Sequence, residues 1–231
     1  LLRNLIHFCS RDAMDIEGLG PAIIETFVNV GMINKTYDIY NLDPDKIASL
    51  EGFKQTSAKN IINSVNNSKK NDLSKLIFAL GIRHIGAKAG KLLADHFKNI
   101  DAIMNASVDD ILKIDGFGVV MAQSVVEFFE SDSSKELIEK LKEVGVNMIS
   151  TNVVKDNRFE GMTFVLTGTL PTLKRSEASS IIESFGGKAS SSVSKKTTYV
   201  LAGEEAGSKL DKANSLGVEV INEEQFKEMI K

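Results

Sequence analysis

Ile114-Asp115-Gly116-Phe117-Gly118-Val119 spells a tight turn between two helical patterns, and the chain repeats it. Ile16-Glu17-Gly18-Leu19-Gly20-Pro21 has the same form. Leu50-Glu51-Gly52-Phe53-Lys54-Gln55 and Ile82-Arg83-His84-Ile85-Gly86-Ala87 are degenerate copies. The first turn positions are 18, 52, 84 and 116, so the steps are 34, 32 and 32 residues. A fixed period in this range signals stacked supersecondary units. Gly18 and Gly116 open a turn expected to need positive φ, and Gly20 and Gly118 leave the backbone bare where something approaches closely. A turn feeding a helix presents free N–H groups, and the helix end adds roughly 0.3–1 kcal/mol per exposed contact with an anion at low salt. Four such ends predict a grip on a phosphate backbone. An ordinary αα-hairpin with glycine for tight packing explains one copy well and four regularly spaced copies poorly. A dinucleotide-binding loop does not fit, because no third glycine follows and a helical pattern, not a strand, precedes each copy.

Working outward, residues 1–150 read as almost all helix, with periodic segments at 21–30, 56–66, 73–80, 87–97, 119–130 and 134–144. Asp43-Pro44 and Ser107-Val108-Asp109-Asp110 are helix starts, the second a near-capping box, and Gly145 is a stop. Val119, Ala122, Val125, Val126 and Phe129 fall at helical spacing. Residues 150–158 are polar and aperiodic, which places a linker at 151–157. Beyond it the pattern changes to short strands at 163–167, 198–202 and 218–221, with a further one near 188–192. They alternate with helices at 175–185, 209–216 and 223–230, the last started by Asn222 with Gln225. The expected fold is multi-domain: an all-α domain over 1–150, then a small α/β domain with a parallel sheet over 158–231.

The 231 residues, 42% hydrophobic and 26% charged, describe a globular chain with room for two domains. No apolar run approaches the ~20 residues that span a bilayer, and no signal peptide is evident. The start at Leu1, without methionine, leads us to expect a piece of something longer. Cys9, the lone cysteine, excludes an intrachain disulfide and a Cys-based zinc site, and the cytoplasm is the expected compartment. Its side chain reads as a small buried apolar group. His7, His84 and His96 lie at no metal-ligand spacing, and His96 is expected on a core-facing stripe beside Phe97. Residues 1–157 hold 18 Lys+Arg against 21 Asp+Glu, and residues 158–231 hold 10 against 10. The strongly basic domain usual for a DNA binder is missing. DNA binding would then depend on backbone donors and a few placed lysines, Lys59 and Lys88 being the best positioned.

The repeat resembles the helix-hairpin-helix, whose family role is sequence-independent binding of DNA phosphates across the minor groove. The run from His7 to Gly20, through Phe8-Cys9-Ser10-Arg11-Asp12-Ala13-Met14-Asp15, resembles the segment after the zinc finger in the bacterial NAD-dependent DNA ligases. Leu80-Gly81-Ile82-Arg83-His84-Ile85-Gly86 is similar to their third hairpin. Thr163-Phe164-Val165-Leu166-Thr167-Gly168-Thr169-Leu170 and Ser208-Lys209-Leu210-Asp211-Lys212-Ala213 are similar to their C-terminal BRCT domain. The likeness covers the whole chain in order. It implies a DNA grip at Gly18, Leu19, Gly20, Gly52, Lys54, Lys59, His84, Gly86, Lys88, Gly116 and Gly118. Lys54 and His84 stand where the pattern has glycine, so their turns are either lost or trade backbone approach for a side-chain contact. In the BRCT domain the resemblance implies a phosphate site of Thr167, Gly168, Lys209 and Arg175, with Phe226 filling the volume of the family's usual core tryptophan.

The implied function is the DNA-clamping C-terminal part of a ligase that seals nicks in duplex DNA during replication and repair, in the nucleoid. The implied partners are nicked duplex DNA and, at the BRCT domain, a protein or phosphate ligand, with no membrane. No catalytic or metal-ligating residue is expected here, and no cofactor is expected to bind this part. NAD, Mg and Zn are expected in the full-length enzyme. Lys113-Ile114-Asp115-Gly116 spells the family's adenylation tetrapeptide, but its Asp-Gly belongs to the fourth hairpin and no strand surrounds it. The alternatives are the DNA-binding region of a repair polymerase or nuclease, and a phosphopeptide-binding scaffold.

Overall fold

The computed structural model describes residues 1–151 and 157–231, and the chain divides into two compact units, 1–151 and 152–231. Most of the expected linker, 152–156, lies outside the described residues.

The first unit is helical throughout: α1 (Leu2–Cys9), α2 (Pro21–Asn29), a 3-10 turn (Thr36–Asn41), α3 (Pro44–Ala48), α4 (Gln55–Ser68), α5 (Leu73–Ala79), α6 (Ala87–Phe97), α7 (Ile100–Met104), α8 (Val108–Leu112), α9 (Val119–Glu130) and α10 (Asp132–Glu143). Local chemistry sets the ends. The Asp43 carboxylate accepts from the Asp45 N–H at 2.9 Å ahead of first-turn Pro44. The Ser107 hydroxyl accepts from the Asp110 N–H, and Asp110 accepts from the Ser107 N–H, both at 3.1 Å. Gly145 closes α10 with φ 86°. Leu5, Phe8, Phe27, Leu73, Leu76 and Leu141 meet in one continuous core. Each such side chain contributes about 1.5–3 kcal/mol by leaving water. Asp72 ties the end of the unit back to its middle. It caps α5 through the Ser74 N–H (2.9 Å) and accepts from the N–H and hydroxyl of Thr151 (2.6 and 2.8 Å). Burial opposes its charge, but these hydrogen bonds prevail and its carboxyl is lowered.

One expectation here is corrected. The helical spacing from Val119 to Phe129 is that of α9, whose core edge is filled by Ala122, Val125 and Phe129 while Val119, its first residue, is 53% exposed. His96, expected on a core-facing stripe, is exposed. The buried stripe of α6 runs through Ala89, Gly90, Leu93 and Ala94, and the His96 ring rests edge-on against Phe97, centroids 4.8 Å apart.

In the second unit β1 (Thr163–Thr167), β2 (Lys188–Ser190), β3 (Tyr199–Ala202) and β4 (Glu219–Ile221) form a parallel sheet in the order β2-β1-β3-β4. The crossovers contain α11 (Arg175–Ser184) and α12 (Ser208–Leu216), and α13 (Glu223–Met229) closes the chain. Central β1 is buried on both faces, as a parallel strand between layers must be. Phe164 and Leu166 pack with Phe159, Phe185 and Phe226, and Val165 packs with Val193, Val200 and Ala213. Phe226 is fully buried, its ring centroid 6.2 Å from that of Phe164. Asn222 and Gln225 cap α13 reciprocally at 2.8 and 2.9 Å.

Glu223 is a buried carboxylate, 4% exposed, that pins the segment between β1 and α11. It accepts from the Thr172 N–H (2.9 Å), the Thr172 hydroxyl and the Lys227 ammonium (2.7 Å). Burial pushes its carboxyl up. The Lys227 ammonium, the Thr172 hydroxyl and the backbone N–H groups outweigh that and hold it at about 2.

Candidate nucleic-acid interface

The four turns share one backbone plan. The first residue has positive φ: Gly18 87°, Gly52 85°, His84 66° and Gly116 89°. The middle residue turns inward, and its N–H donates three residues back. Leu19 bonds Ile16 O (3.2 Å), Phe53 bonds Leu50 O (3.1 Å), Ile85 bonds Ile82 O (3.0 Å) and Phe117 bonds Ile114 O (3.2 Å). The third residue, Gly20, Lys54, Gly86 or Gly118, is the extended N-cap of α2, α4, α6 or α9. Its carbonyl accepts the first helical bond, at 3.0, 3.0, 2.9 and 3.0 Å in turn. The substitution of His84 for glycine therefore does not cost the turn. Histidine is among the residues that tolerate this region more often than most, at some strain.

The first and third positions of all four turns are exposed, so the corners lie at the surface. No side chain caps the starts of α2, α6 and α9, and the Gly20, Gly86 and Gly118 N–H groups have no partner among the described residues. Open donors and the helix dipole make each a place for an anionic oxygen. The second corner differs. The Lys54 N–H donates to Ser57 Oγ (2.9 Å), whose hydroxyl donates back to the Lys54 carbonyl (2.8 Å). The equivalent third helical residues elsewhere are Ile23, Ala89 and Met121, which carry no oxygen.

Leu19, expected among the DNA-contacting residues, is corrected: it is 4% exposed and anchors its turn in the core. Lys54, Lys59 and Lys88 are exposed and make no ion pair among the described residues. Lys88 lies in the first turn of α6, Lys59 at the start of the second turn of α4. Arg83 was missed. It is exposed, and it occupies the position that is acidic in the other turns as Glu17, Glu51 and Asp115. That contrast was present in the repeat itself. Cys9 is buried, which pushes its thiol up to about 12.

Lys113, with its adenylation-like spelling, sits at the end of α8, largely exposed and paired with Asp110 at 3.0 Å. Nothing there fits a nucleotide-accepting lysine. Among the described residues no group of three or more His, Cys, Asp and Glu could hold a metal ion.

In the second unit a 440 Å³ groove runs from Leu166 to Arg175 and takes in Gly168, Lys174 and Arg175. Thr167 and Lys209 do not line it, so the four residues expected around one phosphate do not share this cavity. Thr167 is 5% exposed because β1 stays buried to its last residue, and Lys209 is on the first turn of α12. Gly168 has its own reason to be glycine. Its φ is 72°, and a Cβ there would lie 2.5 Å from the Glu204 carbonyl oxygen.

Comparison with known proteins agrees with this layout. Residues 10–67 match the SAM-like helix-hairpin-helix tandem family, 75–138 the helix-hairpin-helix motif family, and 154–230 the BRCA1 C Terminus (BRCT) domain family. A protein named DNA ligase from Acetivibrio thermocellus is 53% identical over 100% of the chain and 35% of its own length. Those from Clostridioides difficile and Thermoanaerobacter pseudethanolicus are 52% and 50% identical over 99% and 100% of the chain, and 34% and 35% of their own lengths. The chain thus carries helix-hairpin-helix and BRCT domains and spans about a third of the length of the curated relatives it matches. No helix among the described residues is long and apolar enough to cross a membrane.

Proposed function

We propose, from this homology to the DNA ligases, that the chain is the C-terminal, DNA-clamping part of an NAD-dependent ligase that seals nicks during replication and repair. The observation that carries the reading is the set of four surface corners on one backbone plan, three with N-cap amides open to solvent. Backbone amides hold phosphate oxygens without regard to base identity, so the clamp positions duplex DNA and does not read it. It suits a chain with net charge −3, since amide donors need no basic surface. Nick chemistry, with its NAD, Mg and Zn, belongs to the rest of the enzyme, which works in the cytoplasm at the nucleoid. This part supplies no catalytic group. The BRCT unit is an interaction module, and the exposed Lys174 and Arg175 in its groove favour a phosphate-bearing ligand.

Fluorescence anisotropy with a nicked duplex over a salt series tests this. Contacts from Lys54, Lys59 and Lys88 predict a slope of about −2 to −3 in log K against log salt. Binding independent of salt, or none at low salt, overturns the reading.

A further inference from the structure

Five large apolar side chains stand exposed among the described residues, and Val119 and Val120 are the two that adjoin one another. They are 53% and 61% exposed and open α9, directly after the Gly118 corner. Scattered single apolar residues on a surface are ordinary, and a pair at one turn is less so. Left in water these two contribute nothing to folding, and valine is not a favoured helix former. The other corners carry Pro21-Ala22, Gln55-Thr56 and Ala87-Lys88 at the same two places. Ala22 is small, and Thr56 and Lys88 bring a hydrogen-bonding group. The fourth corner presents two branched hydrocarbon side chains instead. None of the helices that follow a corner has an acid in its first turn, whereas α3, α7, α8 and α10 all do. The start of α9 is thus free of any charge that would repel a phosphate at Gly118.

Resting on the DNA-clamp reading, we infer that Val119 and Val120 select the sugar of the bound strand: they pack against the deoxyribose beside the phosphate held at Gly118 and disfavour a ribose there. A backbone phosphate is bonded to a sugar on each side, and the two valines lie within about 3 Å of Gly118 along the helix axis. A phosphate on the Gly118 amide therefore brings a sugar onto the first turn of α9. The 2′-carbon of deoxyribose carries only hydrogen, which suits a hydrocarbon surface. A ribose adds a 2′-hydroxyl, the group by which a protein tells RNA from DNA at a given site. Against valine that hydroxyl loses water and finds no partner, which costs affinity. Bases take no part, so the selection is of sugar and not of sequence, in keeping with a clamp held by backbone contacts.

The test measures the affinity of the whole chain for a nicked DNA duplex and for the same base sequence with the nicked strand made of RNA. The wild-type chain should bind the all-DNA duplex about tenfold more tightly. Both affinities should fall with salt while their ratio holds, because the valines carry no charge. Val119→Thr with Val120→Thr keeps the side-chain shape at similar helix propensity, so the fold is retained, and it offers the 2′-hydroxyl a partner. The ratio should narrow to about twofold, with DNA affinity staying within about twofold of wild type. An equal ratio in variant and wild type would assign any preference to duplex shape and overturn the inference. A wild-type chain that binds both duplexes equally overturns it too. Either result leaves the clamp reading standing. If the wild-type chain binds neither duplex, the clamp reading falls and this inference with it.

Discussion

At Gly20, Gly52, Gly86, Gly116 and Gly118 an added Cβ would meet nothing within 4 Å, whereas at Gly203 it would lie 2.1 Å from the Thr169 carbonyl oxygen. The first group faces empty space at the tips of turns in the helical unit. The second lies where two loops of the sheet unit touch, with Thr169 and Glu204 exchanging hydrogen bonds at 2.8 and 2.9 Å. At Gly203 the chain itself fills the place of the missing side chain. At these exposed corners nothing in the chain fills it, which leaves room for a visitor from outside. Gly18 is intermediate, open at the surface but with Ile61 Cγ1 2.9 Å from its added Cβ.

The sharpest way to break this contrast is Gly203→Ala. The carbonyl clash cannot be relieved by rotating a side chain, so the sheet unit loses about 3 kcal/mol or more. Calorimetry should show its transition lowered by several degrees while that of the helical unit stays in place. A native melting profile would disprove the close approach. Next comes Gly118→Val, at φ −97° in open space. Folding should lose less than about 1 kcal/mol, since only an N-cap preference changes. Duplex affinity should fall about tenfold, or roughly 1.4 kcal/mol. Equal binding by variant and wild type would show that the open space is not used.

A smaller and opposite change is expected of His84→Gly. It removes the left-handed strain of a non-glycine residue and returns part of the gain as chain entropy, for a net stabilisation of about 0.5–1 kcal/mol. The thermal midpoint of the helical unit should rise by about 2–4 °C, and a fall would mean that the imidazole makes a contact that outweighs the strain. The last effect is confined to acid. The folded Glu223 carboxyl lies at about 2, below the ordinary carboxylate value near 4.5. Its contribution is therefore complete above the ordinary value and is lost as pH falls from there through about 2. Acid titration of the sheet unit followed by circular dichroism should show this loss, and Glu223→Gln should flatten it.

The repeat period, the positive φ at Gly18 and Gly116, and the capping boxes at Ser107 and Asn222 were legible in the sequence. Each depends on contacts within a few residues. The strand–helix alternation after residue 160 was legible for the same reason. What escaped depends on tertiary distance. Nothing local says that β1 stays buried to Thr167, or that Gly168 and Gly203 serve a loop contact. Leu19 was misassigned because a motif position gives no side-chain direction, and the apolar periodicity of α9 does not reveal that its first turn extends past the core. The Ser57 cap was within reach. A hydroxyl three residues after Lys54, where the other copies have Ile23, Ala89 and Met121, is the spelling of a helix start.

Hairpin two makes one further point. Its inward half keeps the same hydrogen-bond offsets as its siblings, with Leu50 and Phe53 half-buried, yet its outward half has exchanged a bare amide for a lysine and an internal hydroxyl. The cassette thus separates the parts that hold it in register from the parts it displays. Outward residues become graftable: Lys54-Gln55-Thr56 could be transplanted onto another corner, or replaced by Gly86-Ala87-Lys88, without re-engineering the framework beneath.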